Sequence, residues 1–83
     1  MGDKVFHVEA PLAGTFYRRA SPEEDPYVEI GGKVKKGDVL CIVETMKIFN
    51  EVRTEKDGVI REILIEDEDP VMIHQPMFKI EAM

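Results

Sequence analysis

Cysteine and long apolar runs are scarce in this sequence, and each scarcity excludes a class of protein. Cys41 is the only cysteine, and tryptophan is absent from the 83 residues. One cysteine cannot form an intramolecular disulfide, which excludes a small secreted scaffold held by bridges. No apolar stretch approaches the roughly 18 residues of a membrane-spanning helix, and no signal-peptide run follows Lys4. We therefore expect a cytosolic protein with no membrane partner.

Basic residues are too few for a nucleic-acid-binding protein. Lys and Arg number 11 against 17 Asp and Glu, and the formal net charge is −6. This charge opposes association with a phosphate backbone, so we expect no nucleic-acid partner. The acidic residues concentrate at positions 23–25 and 66–69, where such runs are ordinarily solvated loops.

Side chains that could support catalysis or bind a metal are scattered. His7, His74 and Cys41 lack metal-ligand spacing, and the Gly-Gly-Lys at residues 31–33 lacks the spacing of a phosphate-binding loop. The composition, 43% hydrophobic and 34% charged, suits a soluble globular protein, and a chain of this length buries one small core. We predict one domain over residues 1–83, not an enzyme, with no catalytic residues and no metal site.

The chain contains an internal duplication. Residues 34–44 match residues 71–81 at a constant offset of 37, with a valine, a glutamate and several apolar positions in common. Residues 14–18 match residues 58–62 at an offset of 44. Two such similar units predict two halves that bury one shared core.

The change of offset locates an insertion in the first half. Positions 14 and 34 are 34 − 14 = 20 apart, whereas their counterparts 58 and 71 are 71 − 58 = 13 apart, so the first half has 20 − 13 = 7 extra residues. They lie between Arg18 and Val28, a stretch rich in turn formers and charge. We predict a surface protrusion at about residues 19–26.

Short apolar runs between Gly, Pro and Asp residues predict strands. These runs are Val5 to Val8, Thr15 to Tyr17, Val39 to Val43, Val59 to Ile65 and Met77 to Ile80. Asp57-Gly58 is expected to form a two-residue turn, because glycine accepts positive φ. Between Val39 and Val52 the apolar spacing also fits a helix, but the Val, Ile and Thr content and the symmetry with the second copy favour strands.

Lys47 falls at the joint between the two copies. If residues 39–43 and 48–52 are antiparallel strands, Glu44 to Lys47 form the connecting hairpin, and the lysine projects into solvent. The turn lacks the Asn, Asp or Gly that a tight hairpin prefers, and it places the apolar Met46 at an exposed tip. An ordinary solvated lysine is the alternative, but a departure from local preference marks a candidate functional position.

These residues resemble a known family. Residues 44–48 with residues 50–52 are similar to the biotinyl attachment signature, usually Ala-Met-Lys-Met, of biotin-dependent carboxylases and decarboxylases, and residues 10–17, residues 34–44 and Gly58 extend the resemblance. The resemblance implies an all-β fold: a flattened sandwich or barrel of two four-stranded antiparallel sheets with quasi-twofold symmetry. The modified lysine is then on a hairpin turn.

The resemblance also implies the roles of individual residues. Lys47 would carry covalent biotin, and Met46, Ile48 and Glu44 would be recognised by the biotin protein ligase. Ile48 departs from the family because a second methionine is common there. Thr45 also differs from the biotinyl signature and is similar to lipoyl domains of 2-oxo acid dehydrogenase complexes, where Glu-Thr precedes Asp-Lys-Ala. A lipoyl carrier and an unmodified β interaction module therefore stay open as alternatives.

The insertion resembles the thumb of the carrier subunits of bacterial and plastid acetyl-CoA carboxylase. The thumb residues assigned by this resemblance are Arg19, Ala20, Ser21, Pro22, Glu23, Glu24 and Asp25. The implied partners are biotin protein ligase, biotin carboxylase and a carboxyltransferase that gives malonyl-CoA for fatty acid synthesis, in the cytoplasm or, for a plant, the plastid stroma. A biotinyl domain of another carboxylase or decarboxylase, and an insertion that is an ordinary loop, are the alternatives.

Overall fold

The computed structural model describes residues 4–83 and contains eight strands. They are β1 (Val5–Glu9), β2 (Gly14–Tyr17), β3 (Lys33–Val34), β4 (Val39–Thr45), β5 (Ile48–Arg53), β6 (Gly58–Ile63), β7 (Pro70–Val71) and β8 (Pro76–Ala82). Within these residues there is no helix of the length and apolarity that crossing a membrane requires. The helical alternative over residues 39–52 is excluded, because that segment forms the β4–β5 hairpin.

The strands form two four-stranded antiparallel sheets with the orders β1-β8-β6-β3 and β5-β4-β2-β7. If β1 to β4 are exchanged for β5 to β8, one order becomes the other. The two halves of the chain therefore have the same topology and contribute strands to both sheets. This confirms the predicted all-β sandwich with quasi-twofold symmetry, and it places Lys47 between the two halves.

The core is built from equivalent positions of the two halves. The buried pairs are Ala10 with Thr54, Phe16 with Ile60, Val34 with Val71, Leu40 with Met77, Cys41 with Phe78 and Val43 with Ile80. The Phe16 and Phe78 rings pack with their centroids 5.9 Å apart. In β4 and β8 two consecutive residues, Leu40-Cys41 and Met77-Phe78, are buried, and both strands have a register irregularity near these residues, so the break in alternation is duplicated as well.

The turns are duplicated as closely as the core. Gly31 (φ 88°) corresponds to Glu68 (φ 72°), and the amide of each donates a 2.7 Å hydrogen bond, to the carbonyl of Ile60 and of Phe16 respectively. Left-handed backbone is costly for residues other than glycine, so its retention at Glu68 indicates that the fold, and not the residue, dictates this conformation.

The expected Asp57-Gly58 hairpin turn is wrong. Gly58 is the first residue of β6, whose partners are β3 and β8, whereas the preceding β5 is in the other sheet. Glycine is required there for close approach: a Cβ at Gly58 would lie 2.5 Å from Ile80 Cγ2 and 2.6 Å from the Glu81 carbonyl oxygen. Its counterpart Gly14 has the same crowding, since a Cβ there would lie 2.3 Å from the Glu44 carbonyl oxygen.

Candidate functional site

The hairpin that presents Lys47 is tighter than the sequence predicted. Glu44 and Thr45 belong to β4, with Glu44 paired with Phe49 and Thr45 paired with Ile48, so only Met46 and Lys47 form the turn. The prediction that Glu44 to Lys47 are all turn residues is therefore wrong. Thr45 and Ile48 are β-branched, which suits a strand pair. They form the last pair of the hairpin, so the paired strands extend to the residues on either side of the two-residue turn.

Both turn residues have left-handed backbone, with φ of 51° at Met46 and 65° at Lys47. Positive φ at both central residues defines the mirror-image hairpin turn whose twist matches that of the strands, and Asn-Gly is its usual sequence. Methionine and lysine each cost about 1–2 kcal/mol in this conformation. The sequence of this turn is therefore not the one that stability alone would favour.

The flanks of Lys47 are apolar and exposed. Met46 is 89% exposed and Ile48 60% exposed, and Phe49 is also on the surface. Lys47 itself is exposed at the tip. An exposed amine between two large apolar side chains offers a partner enzyme both a nucleophile and a hydrophobic contact.

Contacts on β2, β4 and β5 hold the base of the hairpin. The Asn50 Nδ2 donates to the Val43 carbonyl oxygen at 3.2 Å, and the Tyr17 hydroxyl donates to Glu44 Oε1 at 3.3 Å. The Tyr17 and Phe49 rings pack at 6.4 Å between centroids. Burial, followed by the negative charge of Glu44, raises the pKa of Tyr17. Glu44, predicted to face a ligase, is thus also part of the hairpin's support.

The insertion forms a closed loop anchored to the second half of the chain. The amide of Tyr27 donates to the Arg18 carbonyl oxygen at 2.9 Å, which closes the loop. The Arg18 amide donates to Asp67 Oδ1 at 2.8 Å, and Arg19 Nε lies 4.0 Å from Asp67 Oδ2. The extra residues are therefore fixed at their base.

A groove of about 250 Å³ separates the insertion from the hairpin sheet. It is lined by Tyr17, Ile42 and Phe49 of the hairpin sheet, by residues 19–22 of the insertion, and by Asp67 and Glu68. The structure thus brings Arg19, Ala20, Ser21 and Pro22 close to the hairpin. Glu23, Glu24 and Asp25 are exposed and outside this groove.

Sequence reasoning missed this groove. Ile42 is buried although its counterpart in the second half is the partly exposed Lys79, and it lines the groove together with Tyr17 and Phe49. The available signal was the alternation along β4, which places Ile42 and Glu44 together on the outer face.

The remaining candidate side chains do not converge. Within residues 4–83, no three His, Cys, Asp or Glu side chains are arranged to hold a metal ion. Burial raises the pKa of the Cys41 thiol to about 12, so the thiol is not a nucleophile near neutral pH. His74 lies 3.6 Å from Glu9 on the surface.

Comparison with known proteins identifies the family. The sequence profile of the family described as "Biotin-requiring enzyme", which covers biotin and lipoyl attachment domains, matches residues 6–80. The chain belongs to this family. The solved structure of Kluyveromyces lactis urea carboxylase shares the fold, with a TM-score of 0.77 and 24% identity over 96% of this chain and 6% of that one.

Curated relatives of this member of the biotin and lipoyl attachment family have one name in common. Biotin carboxyl carrier protein of acetyl-CoA carboxylase from Pseudomonas aeruginosa is 52% identical over 88% of this chain and 47% of its own length. The Haemophilus influenzae protein of that name is 49% identical over 89% of this chain and 48% of its own. Biotin carboxyl carrier protein of acetyl-CoA carboxylase 2, chloroplastic, from Arabidopsis thaliana is 49% identical over 88% of this chain and 29% of its own length. The chain thus spans less than half the length of these relatives.

Proposed function

We propose that this chain carries biotin covalently on Lys47 and acts as the carboxyl carrier of an acetyl-CoA carboxylase. The observation that carries the proposal is the placement of Lys47 at an exposed two-residue turn between Met46 and Ile48. The names of the curated relatives support both the cofactor and the enzyme system. The chain itself is then a carrier and not an enzyme.

The residues of the chain fit the attachment of biotin. The exposed amine of Lys47 can form an amide with the carboxyl group of biotin once the ligase has activated that carboxyl group with ATP, so that AMP is the leaving group. The two strands below Lys47 hold the tip at a fixed position. Bound biotin supplies a ureido nitrogen that accepts and releases a carboxyl group. The contribution of the protein is to keep this group at high local concentration near each partner while leaving the arm mobile.

The partners proposed for the carrier are three enzymes. Biotin protein ligase attaches the cofactor, biotin carboxylase loads it, and carboxyltransferase passes the carboxyl group to acetyl-CoA to give malonyl-CoA. The bacterial and chloroplastic relatives support a cytoplasmic or stromal location. The test is reconstitution: with both enzymes and MgATP present, the biotinylated chain should transfer a carboxyl group from labelled bicarbonate to acetyl-CoA, and the unmodified chain should not.

A lipoyl carrier is the second candidate, because Glu44-Thr45 also occurs before the lysine of lipoyl domains. Met46 stands where a lipoyl domain has an acidic residue, and the names of the relatives favour biotin. Incubation with biotin ligase or with lipoate ligase, followed by intact mass measurement, separates the two. Met46→Asp should impair biotinylation, whereas improved lipoylation of this variant would support the lipoyl alternative.

We propose that the insertion is a thumb that acts in carboxyl transfer. Its support is the groove between residues 19–22 and the hairpin sheet, which places the insertion beside the segment that carries Lys47. Deletion of residues 19–25 should leave folding and biotinylation intact but lower the rate of carboxyl transfer. An unchanged rate would reduce the segment to an ordinary surface loop.

A further inference from the structure

The two ends of the sandwich have the same backbone but opposite chemistry. At one end the Met72 amide donates to Gln75 Oε1 at 2.8 Å, and at the other the Lys35 amide donates to Asp38 Oδ2 at 2.9 Å. In each turn the same two residues form a second hydrogen bond. The Gln75 amide donates to the Met72 carbonyl oxygen at 3.1 Å, and the Asp38 amide donates to the Lys35 carbonyl oxygen at 2.8 Å. The offset of 37 therefore relates the hydrogen bonds of these two turns one to one.

A second pair of segments packs beside these turns in the same way. The His74 amide donates to the Ala10 carbonyl oxygen at 2.8 Å, and its counterpart Gly37 donates to Thr54 at 2.8 Å. The residues that follow Ala10 and Thr54 thus lie next to the two turns. Five positions then differ in kind: Pro11, Leu12, Ala13, Met72 and Ile73 are apolar, and their counterparts Glu55, Lys56, Asp57, Lys35 and Lys36 are charged.

Four of these five apolar residues, Pro11, Ala13, Met72 and Ile73, are exposed, and only Leu12 packs against the core. Met72 is 66% exposed and Ile73 53% exposed, so neither contributes much to the core. The other half of the same chain forms the same turns with lysines, which shows that charged side chains are compatible with this backbone. Exposed apolar clusters of this kind mark interaction surfaces.

The apolar cluster lies at the end of the molecule that carries Lys47. Thr15 pairs with both Glu44 and Pro70, which places β4, β2 and β7 side by side in one register. The last paired residue of β7 is Val71, and the next residue, Met72, begins the turn. This turn lies level with the end of β4, where the Met46 turn begins. Met72 is thus two interstrand spacings, about 10 Å, from the axis of β4. We call residues 11–13, 46, 48, 72 and 73 the apolar end face.

We infer that the apolar end face is the docking surface for the ligase that attaches biotin to Lys47, and that the ligase has a complementary apolar rim around its active site. The inference rests on the proposed function. A lysine side chain is short, so an enzyme that must bring the Lys47 ε-amino group into its own active site has to touch this end of the carrier. Enzymes that act on the biotin ring react with the far end of the arm, so their reaction does not require contact with this end of the carrier.

The test exchanges the chemistry of the two ends. Met72→Lys with Ile73→Lys copies Lys35 and Lys36 and adds positive charge, whereas Pro11→Glu with Ala13→Asp copies Glu55 and Asp57 and adds negative charge. The reciprocal pair Lys35→Met with Lys36→Ile is the control at the far end. Initial rates of biotinylation are measured with a bacterial biotin protein ligase, biotin and MgATP at varied carrier concentration, after thermal melting confirms that each variant folds.

Both end-face variants should raise the KM for the carrier about tenfold with kcat changed less than about twofold, since removing apolar contact weakens docking and leaves the amine intact. The far-end control should retain the original KM. Agreement between variants of opposite charge excludes a purely electrostatic cause. An unchanged KM in both end-face variants overturns the inference. It is also overturned if these variants are defective only as substrates of biotin carboxylase, or if their only change is in the self-association of the chain. If the unaltered chain is not biotinylated at all, the proposed function fails instead.

Discussion

Tyr17 donates a hydrogen bond to Glu44 at 3.3 Å, at the positions where the other half of the chain has an ion pair between Arg61 and Glu81 at 2.6 Å. The geometry of the pair is thus duplicated, but its chemistry is not. In the half with the insertion, an aromatic ring replaces the guanidinium because it also covers Ile42 and packs on Phe49. The outer face of the hairpin sheet is therefore specialised for an apolar contact.

Removal of the Tyr17 hydroxyl should weaken the fold slightly. Tyr17→Phe keeps the ring packing and loses one partly exposed hydrogen bond, so we expect a small fall in the free energy of unfolding in urea. Tyr27→Phe is the control. A loss as large as that of Tyr17→Ala would show that the ring, and not the hydroxyl, had been disturbed.

The same residue gives a pH prediction. Burial and the charge of Glu44 raise the pKa of Tyr17 in the folded state above the usual 10.0, so the folded chain holds this proton more tightly than the unfolded chain. The resulting stabilisation is complete below pH 10 and is lost as the pH rises through the folded pKa. In Tyr27→Phe, ultraviolet absorbance should show the remaining tyrosine ionising above pH 10, and ionisation at or below that value would contradict the contact.

The two crowded glycines should be the most sensitive positions of the backbone. Gly14→Ala and Gly58→Ala place a Cβ within 2.3 Å and 2.6 Å of a carbonyl oxygen, so each should lower the free energy of unfolding by about 3 kcal/mol. Gly37→Ala meets no atom within 4 Å and strains only a φ of 95°, which should cost about 1 kcal/mol. Equal losses at the three sites in chemical denaturation would argue against the close approach.

The protein should become more stable when Met46 and Lys47 are replaced by residues that suit the backbone of the turn. Met46→Asn with Lys47→Gly supplies residues that accept positive φ, so the free energy of unfolding should rise by about 1–2 kcal/mol while modification is lost. Lys47→Arg is the matched control, since it removes the acceptor amine but keeps the strained turn. A less stable Asn-Gly variant would show that the present turn is not strained.

Cys41 should be inert until the protein unfolds. Its pKa is raised by burial from 9.0 to about 12, so a thiol reagent at pH 8 should react only at the rate of unfolding. Because the folded state disfavours the thiolate, the free energy of unfolding should fall as the pH rises above 9, and Cys41→Ala should lack this component. Rapid labelling of the native chain would contradict the burial of the thiol.

Much of the fold was predictable because the duplication is recorded in the sequence. The offsets of 37 and 44 recur in the core pairs, the turns and the glycine contacts, so similar halves in sequence became similar halves in structure. The strands β3 and β7 were missed because two residues are too short for an alternating pattern. Gly58 was misread as a turn because sequence alone does not distinguish a glycine that bends the chain from one that admits a neighbour.

The candidate site was predictable in part. Lys47 and Met46 stood out because they break the preferences of a tight hairpin, and the structure places both at its tip. The groove beside them was not predicted, since it depends on the position of the insertion relative to Ile42, a residue about twenty positions away in the chain. The apolar end face likewise unites three separate segments.

The most direct test of the central claim is the intact mass of the chain after incubation with biotin protein ligase, biotin and ATP. The proposed function predicts an increase of one biotinyl group and no more, although the chain has six lysines besides Lys47. Lys47→Arg should show no increase. An unchanged mass for the original chain, or a biotinyl group on the Lys47→Arg variant, would contradict the assignment of Lys47 as the attachment site.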